Sequence, residues 1–215
     1  MVDKPARDRR RRAGKRPPRI LQIYRDFVTL GSEGAFRQVE EDAARACAEL
    51  DCPNVHLAME SLTGPSEVWW LTPYESAADK QRVADGYARN AALMAALERI
   101  GARKVGTVGA PVDVFADYRA ELSRGPWKVA GTRFFVITMT KGDSPIDGAV
   151  FEAADGTRLT FSAFGTRQEA EHIAAESGPD ARLFAVRPYW GMPARAWIAA
   201  DPEFWKPNPT AGSSR

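Results

Sequence analysis

The chain contains few of the residues that mark metal, disulfide and membrane proteins. Of its 215 residues, two are cysteines and two are histidines. Because Cys47 and Cys52 have no further Cys or His cluster near them in the sequence, neither a zinc site nor a disulfide framework is expected. We interpret both as reduced thiols, with Cys47 packed on a helix. The longest uncharged stretches fall short of the roughly 20 apolar residues of a membrane-spanning helix. These absences favour a cytoplasmic protein without a membrane anchor.

The common catalytic motifs are also missing from the sequence. There is no Gly-rich phosphate loop, no G-x-S-x-G turn and no H-E-x-x-H helix. No sequence motif therefore supports nucleotide hydrolysis, common serine-hydrolase chemistry or zincin chemistry. The sequence predicts no cofactor and no metal, and it leaves open whether the protein is an enzyme.

Positive charge is concentrated at the start of the chain. Residues 1–19 carry nine Lys or Arg and two Asp, a net charge of +7, whereas the whole chain has +2. A segment this charged and this poor in apolar side chains predicts a disordered arm. A solvated arm is the leading interpretation, with weak electrostatic binding to nucleic acid or attraction to a membrane surface as alternatives. Because no aromatic residue interleaves with the cations, only nonspecific nucleic-acid contact is expected.

The rest of the chain has the composition of a globular protein, with 44% hydrophobic and 27% charged residues. Its first half predicts a ferredoxin-like β-α-β-β-α-β unit. The expected elements are a strand over residues 20–28, a helix opened by Ser32, a hairpin of residues 55–62 and 67–74, a long helix over 76–101 opened by Ser76, and a strand between 105 and 119. Ser76 with Asp79 three residues later is a capping-box pattern.

The second half repeats this pattern without the first helix. A strand over residues 132–142 matches the first strand, a hairpin follows, Thr166 with Glu169 repeats the capping box, and a last strand covers residues 182–188. The predicted fold class is therefore α+β, with two ferredoxin-like repeats and antiparallel sheets. The repeats span residues 20–126 and 127–206, the second lacks its first helix, and residues 207–215 form a flexible tail.

Three stretches resemble a known group of proteins: NVHLAMESLTGPSEVWWLTPYES, YRAELS and AWIAADPEFW. They are similar to bacterial proteins with ferredoxin-like dimeric α/β-barrel repeats, a superfamily that also holds the NIPSNAP proteins and the antibiotic-biosynthesis monooxygenases. The resemblance covers about residues 20–206 and implies two four-stranded sheets facing each other across a barrel, here from one chain. Superfamily members include cofactor-free oxygenases acting on aromatics, haem-degrading enzymes, and binding or structural proteins, so fold alone does not choose a function.

Alternation along the strands predicts which side chains face the space between the two sheets. We expect Trp69 and Leu71 to face the helices. Pointing into the barrel we expect Gln22, Tyr24, Asp26, His56, Glu60, Val68, Trp70, Thr72, Arg133, Phe135, Ile137, Met139, Arg158, Thr160 and Ser162. An apolar cleft with a few convergent polar groups is the usual form of a small-molecule site.

Within that set, His56, Tyr24 and Asp26 are the candidate catalytic residues. The candidate ligand-binding residues are Gln22, Glu60, Trp70, Thr72, Arg133 and Arg158. Structural roles remain open for each of them: His56 as a hydrogen-bonded strand residue, Trp70 and Tyr24 as core, and Asp26 and Glu60 as ionic partners of Arg133 or Arg158. Haem ligation by His56 has no support beyond the lack of a better ligand.

The predicted function is binding of a small hydrophobic or aromatic molecule between the sheets, with cofactor-independent oxygenase or isomerase chemistry as an extension. The alternative is a non-enzymatic structural or interaction protein whose barrel is filled by its own side chains. A small aromatic ligand is the expected partner, and the sequence leaves a homo-oligomer open. A cavity or a packed interior between the sheets separates the two hypotheses.

Overall fold

The structure is a computed structural model and describes residues 16–205. Most of the predicted basic arm (residues 1–15) and the predicted tail (residues 207–215) lie outside the described residues. Within the described part of the arm, Pro18 is buried. The backbone N–H of Tyr118 donates to the Arg19 carbonyl at 2.9 Å. None of the helices within residues 16–205 has the length and apolar character needed to cross a membrane.

Both predicted repeats are present, and the fold class is α+β as expected. The first repeat consists of β1 (Ile20–Phe27), α1 (Glu33–Glu49), β2 (Leu57–Ser61), β3 (Glu67–Tyr74), α2 (Ala77–Arg89), α3 (Ala91–Gly101), a 3₁₀ turn (Ala102–Lys104) and β4 (Val112–Tyr118). The second consists of β5 (Phe134–Thr140), β6 (Ala149–Ala153), β7 (Arg158–Phe164), α4 (Arg167–Glu176) and β8 (Ala181–Val186), followed by α5 (Arg195–Ala200). No helix separates β5 from β6, which confirms that the second repeat lacks its first helix.

The strands close into one antiparallel barrel in the order β1-β3-β2-β8-β5-β7-β6-β4. Each repeat contributes four adjacent strands. The sheets join where β2 pairs with β8, with Met59 opposite Val186, and where β4 pairs with β6, with Ala116 opposite Ala153. Closure removes the exposed strand edges that an isolated four-stranded sheet would present. One chain thus forms the predicted barrel-like arrangement of two sheets.

Two of the predicted helix caps form, and one does not. The Ser76 hydroxyl accepts a hydrogen bond from the Asp79 backbone N–H at 3.1 Å. Thr166 accepts from the Glu169 backbone at 3.4 Å and donates to its carboxylate at 2.7 Å. A side-chain oxygen placed this way satisfies one of the unpaired N–H groups at a helix start. Ser32 precedes α1 but makes no side-chain capping bond.

The long helix predicted over residues 76–101 is interrupted at Asn90. This residue has φ −104° and ψ 73°, and its side chain caps α3 by accepting from the Leu93 N–H at 3.1 Å. The interruption changes which residues of α3 face inward. Leu93 and Ala96 are buried, whereas Met94 is 46% exposed.

The space between the two sheets is filled by apolar side chains from both of them. No member of this set is more than 4% exposed, and the members are Leu21, Ile23, Leu57, Met59, Trp69 and Leu71 from the first sheet with Phe135, Ile137, Phe151, Leu159, Phe161, Phe184 and Val186 from the second. The ring centroids of Trp69 and Phe184 lie 4.7 Å apart. The barrel interior is therefore a packed core.

The predicted orientation of β1, β2, β3 and β7 is wrong. Trp69 and Leu71 belong to the barrel core, whereas Val68, Ala58 and partly buried Trp70 pack against Phe36 of α1. Since residues opposite each other in a ladder share a face, the residues predicted to point inward from these strands lie on the helix side: Gln22, Tyr24, Asp26, His56, Glu60, Val68, Trp70, Thr72, Arg158, Thr160 and Ser162.

For β5 the prediction is correct, because Phe135 and Ile137 lie in the core. The two faces of β3 are both apolar, so alternation separates them without showing which one is inside. The inward face of β1 also carries Arg25, whose charge is compensated inside the barrel.

Glu67 supplies that compensation. Its side chain is 1% exposed and accepts hydrogen bonds from Arg25 Nε at 2.9 Å, Arg182 Nη1 at 2.6 Å and Trp69 Nε1 at 2.5 Å. The Arg25 guanidinium also lies 4.7 Å from the Trp69 ring centroid. Buried charges are tolerated when they are paired and hydrogen-bonded in this way.

Candidate functional site

A cleft of about 420 Å³ lies on the helix side of the first sheet, beneath α2. We call it the α2 cleft. Its walls are Gln22, Tyr24, Asn54, His56, Trp70, Thr72, Tyr74, Lys80, Val83, Ala84, Tyr87 and Phe115. The four residues from α2 have the spacing of one helix face, and those from β1 and β3 are alternate residues of each strand. The cleft is thus bounded by one face of a helix and one face of a sheet.

A second cleft of similar volume lies next to it, under α3. This α3 cleft is lined by Tyr24, Asp26, Ala43, Leu97, Ile100, Gly101, Lys104, Val105, Val108 and Pro111. Tyr24 lines both clefts and stands between them. Its ring centroid is 6.0 Å from that of Trp70, in an edge-to-face arrangement.

The corresponding side of the second sheet is closed by α4. Ala170 of α4 is fully buried in a cluster with Val136, Ala181 and Leu183. In the first repeat, α2 is held at its C-terminal half by loop contacts, since a Cβ on Gly86 would lie 2.7 Å from Cβ of Pro53. The two repeats therefore differ: clefts lie beside α2 and α3 of the first, whereas α4 of the second packs against its sheet.

Hydrogen bonds fix the polar side chains on one wall of the α2 cleft. Tyr74 donates its hydroxyl to Gln22 Oε1 at 2.8 Å, and Gln22 Nε2 donates to the Asp113 carboxylate at 3.0 Å. Burial, followed by the charges of Asp113 and Asp79, raises the pKa of Tyr74 to about 12. Burial also raises the pKa of Tyr24, and the charge of Asp26 adds to the effect. Both phenols stay protonated at neutral pH.

His56 lies at the edge of β2 and is held through its backbone. Its N–H donates to the Met192 carbonyl at 3.0 Å, and the Met192 N–H returns a bond to the His56 carbonyl at 2.9 Å. Burial lowers the pKa of the His56 imidazole to about 4, against the opposing effect of a hydrogen bond to the Trp190 backbone. The ring is therefore neutral at pH 7, and a neutral imidazole retains one nitrogen that can accept a hydrogen bond.

The neutral state of His56 should make the fold less stable in mild acid. Because the pKa of His56 is about 4 in the folded protein and about 6.5 in an unfolded chain, the unfolded state binds more protons between these pH values. The contribution of His56 to the free energy of unfolding is complete above about pH 6.5 and is lost as the pH falls toward 4. Between about pH 7 and about pH 5 we expect a loss of about 1–2 kcal/mol, the lower end applying if the half-buried ring keeps some hydration.

Urea unfolding of the wild type and of His56→Gln at both pH values measures this loss. The Gln variant cannot titrate here, so its stability should fall less than that of the wild type by this amount. Equal losses in the two proteins would contradict the expectation.

Five of the nine residues predicted for the site line the α2 cleft: Gln22, Tyr24, His56, Trp70 and Thr72. They meet beneath α2 and not between the sheets. Asp26 lies in the α3 cleft, where Lys104 Nζ donates to its carboxylate at 2.7 Å. Lys104 also contacts the buried Glu40 at 2.5 Å.

The other three predicted residues take part in ion pairs and do not line either cleft. Arg187 Nε donates to Glu60 at 2.7 Å, and Arg158 Nε donates to Glu152 at 2.9 Å. Arg133 pairs with Asp201 and lies 3.7 Å from the Phe204 ring centroid. The predicted pairing of Asp26 or Glu60 with Arg133 or Arg158 is therefore wrong. These partners come from segments that strand alternation does not relate to one another.

Sequence reasoning missed a set of residues that connects the loop after α1, α2 and the sheet. Tyr87 donates its hydroxyl to Asn54 Oδ1 at 2.7 Å, and Asn54 Nδ2 donates to Thr72 Oγ1 at 3.3 Å. Cys52 Sγ lies 2.9 Å from the Tyr87 hydroxyl oxygen. The available signal was the spacing of Tyr87 four residues after Val83 on the inner face of the predicted helix. Within residues 16–205, no group of three or more His, Cys, Asp or Glu is placed to hold a metal ion.

Comparisons with known proteins do not identify a function. No protein-family model and no curated protein matches the sequence. A solved structure from Fusobacterium nucleatum subsp. nucleatum ATCC 25586, named "putative monooxygenase", matches with a TM-score of 0.47 at 9% identity, over 82% of this chain and 93% of that chain. One of the same name from Lactobacillus acidophilus NCFM matches with a TM-score of 0.44 at 6% identity, over 78% and 93%.

At these identities and scores, neither likeness supports an activity. The class defined by the described residues is a single-chain α+β barrel of two ferredoxin-like repeats, with clefts under the helices of the first.

Proposed function

We propose that the protein binds a small aromatic or hydrophobic molecule in the α2 cleft. The observation that carries the proposal is a cleft of about 420 Å³ with aromatic walls and fixed polar atoms. Small-molecule sites have volumes of roughly 300–1,000 Å³ and combine mainly apolar walls with a few oriented polar groups. The location differs from the sequence prediction, because the space between the sheets is filled.

The walls favour a flat ligand with a hydrogen-bond donor. Trp70, Tyr24 and Phe115 supply aromatic surface. The neutral His56 supplies an acceptor nitrogen, and Lys80 Nζ, 3.2 Å from the Phe115 ring centroid, supplies a cation on the α2 side. A phenol or an enol matches this pairing of an acceptor and a cation.

The low pKa of His56 favours binding over proton abstraction. A phenol has a pKa of about 10, so proton transfer to an imidazole of pKa about 4 would be uphill by roughly 8 kcal/mol. His56 is therefore better suited to hold a hydroxyl group than to remove its proton. Cofactor-independent oxygenase or isomerase chemistry would need a more acidic ligand or a rise in the pKa of His56 on binding.

A cleft-filling substitution tests the proposal. Ala84 of α2 is exposed and lines the cleft, whereas Ala78 of the same helix is exposed and does not line it. An aromatic compound library is first screened by thermal shift, and hits are measured by calorimetry. Ala84→Trp should weaken binding by at least about tenfold, because an indole occupies the ligand's volume. Ala78→Trp should bind as the wild type does.

Circular dichroism of both variants checks that the fold is retained. Equal affinity of Ala84→Trp and the wild type for every hit would exclude the α2 cleft as the site.

A non-enzymatic structural or interaction protein is the second candidate function. The observation that favours it is the filled barrel, whose core residues are at most 4% exposed. It predicts no stabilisation by any compound of the screen and no small molecule retained by the purified protein in mass spectrometry. A hit that depends on residue 84 would exclude it as the sole function.

A further inference from the structure

The two cysteines of the chain are brought together by the end of α1. Leu50 is the C-cap of α1, Asp51 adopts a positive φ of 55°, and the Cys52 N–H donates to the Cys47 carbonyl at 2.9 Å. This is the hydrogen bond of a Schellman motif, which places the second residue beyond the cap against the last turn of the helix. An apolar contact between these two positions frequently accompanies the motif. Here the contact is between thiols, with the Sγ atoms 2.9 Å apart.

The two sulfurs have different surroundings. Cys47 is 6% exposed and donates its S–H to Cys52, which is half-buried. Cys52 Sγ also lies 2.9 Å from the Tyr87 hydroxyl. The hydrogen bond from Cys47 lowers the pKa of Cys52 to about 7, with help from Tyr87 and against burial, while the same bond raises the pKa of Cys47. Cys52 is therefore the more exposed and the more acidic of the two thiols, and Cys47 is the shielded thiol beside it.

We propose that Cys47 and Cys52 form a redox-sensitive dithiol that closes to a disulfide when a hydroperoxide reaches Cys52. This proposal rests on the contact between the two sulfur atoms and on the motif at the end of α1 that brings the two residues together. Little backbone movement is needed for closure, because the Cys52–Cys47 backbone hydrogen bond already holds the two residues together.

The chemistry takes two steps. The Cys52 thiolate attacks one oxygen of the O–O bond, which breaks to give a Cys52 sulfenic acid and an alkoxide or hydroxide that takes up the proton released by the thiol. The Cys47 sulfur then attacks the Cys52 sulfur, the S–S bond forms, and the sulfenic oxygen leaves as water with the Cys47 proton. In sum, two thiols and one hydroperoxide give one disulfide, one alcohol or water, and one water. The sulfurs lose two electrons, and the O–O bond gains them.

Oxidation would also affect the α2 cleft, a consequence that rests on the proposed function. The Tyr87 hydroxyl has one hydrogen, which it donates either to Asn54 or to the ionised Cys52 sulfur, and Asn54 bonds to Thr72 on the cleft wall. A disulfide sulfur is a weaker acceptor than a thiolate, so closure leaves this hydrogen with Asn54 and alters the chain of hydrogen bonds that ends at the cleft wall. The disulfide would thereby tie ligand binding to oxidant level.

Thiol titration of the full-length protein tests the proposal directly. The sequence holds two cysteines, so the free-thiol count is two when the protein is reduced. One equivalent of hydrogen peroxide should lower the count to zero, with a monomeric product lighter by two hydrogen atoms, and dithiothreitol should restore both thiols. Loss of thiols through sulfinic acid or through intermolecular disulfides would overturn the proposal, as would retention of both thiols.

Single-cysteine variants separate the two roles. Cys47→Ser should stop at a sulfenic acid that dimedone traps, whereas in Cys52→Ser the buried Cys47 should remain unreactive. Tyr87→Phe keeps both thiols but removes a hydrogen bond to Cys52, so its rate of reaction with peroxide at pH 7 should fall about three- to fivefold. Equal rates in Tyr87→Phe and the wild type, or equal reactivity of the two single-cysteine variants, would contradict the assigned roles.

Comparing ligand affinity in the reduced and oxidised protein then tests the link to the cleft. An unchanged affinity would remove the link and leave the dithiol standing. Absence of any ligand would reject the proposed function without affecting the thiol measurements.

Discussion

Replacing Trp69 with alanine is expected to destabilise the protein by about 3–5 kcal/mol. The indole is fully buried in the barrel, 4.7 Å from the Phe184 ring centroid, and it donates a hydrogen bond to Glu67. Truncation would remove apolar burial, leave a cavity between two sheets that cannot move together, and take one donor from a buried carboxylate. Denaturant unfolding monitored by circular dichroism measures the loss.

Trp70→Ala is the matched control, because it removes the same side chain from the adjacent position. Trp70 is partly buried on the helix side, where it lines the α2 cleft and makes edge contacts with Tyr24 and Phe36. The cleft already supplies space beside the ring, so its loss should cost clearly less than that of Trp69. Equal losses at the two positions would mean that the orientation of β3 is other than described.

Replacing Glu67 with glutamine is expected to have an effect of similar size, about 3–5 kcal/mol. Glutamine keeps the shape but removes the negative charge, which leaves the guanidinium groups of Arg25 and Arg182 without their counter-charge. The side chains of these arginines are 16% and 9% exposed. Removing one member of a buried ionic cluster costs more than the cluster contributes in net stability, since the desolvated charges that remain have no compensation.

Glu152→Gln provides the control for this second prediction. Glu152 also bonds to two arginines, Arg158 at 2.9 Å and Arg119 at 2.5 Å, but its side chain is 22% exposed. Water can solvate the arginines when the charge is lost, so the expected cost is below about 1 kcal/mol. Free energies of unfolding in urea distinguish the two variants. A cost at Glu67 as small as that at Glu152 would show that water reaches the barrel interior.

Five of the residues predicted for a site do line one cleft, but this cleft is not between the sheets. Gln22, Tyr24, His56, Trp70 and Thr72 were grouped by alternation, and alternate residues of paired strands do share a face. Which side of the sheet that face covers depends on what packs against it. The face with Trp69 and Leu71 packs in the barrel core. Arg25 lies on the same side of the sheet, and its charge is compensated there by the Glu67 carboxylate.

Features that depend on neighbours along the chain could be predicted from the sequence. The repeat, the hairpins and the caps at Ser76 and Thr166 follow from spacing of a few residues, because strand alternation and a helix cap each involve groups close together in sequence.

Features that depend on distant segments could not be predicted in this way and are seen in the folded protein. These are the inward face of β3, the ionic partners of Asp26 and Arg133, and the separation of α2 from the sheet that opens a cleft. Each results from competition among segments for the same buried space. A local pattern shows that a face is apolar, whereas the choice between two apolar faces is made by the volume and charge of the surface that packs against each of them.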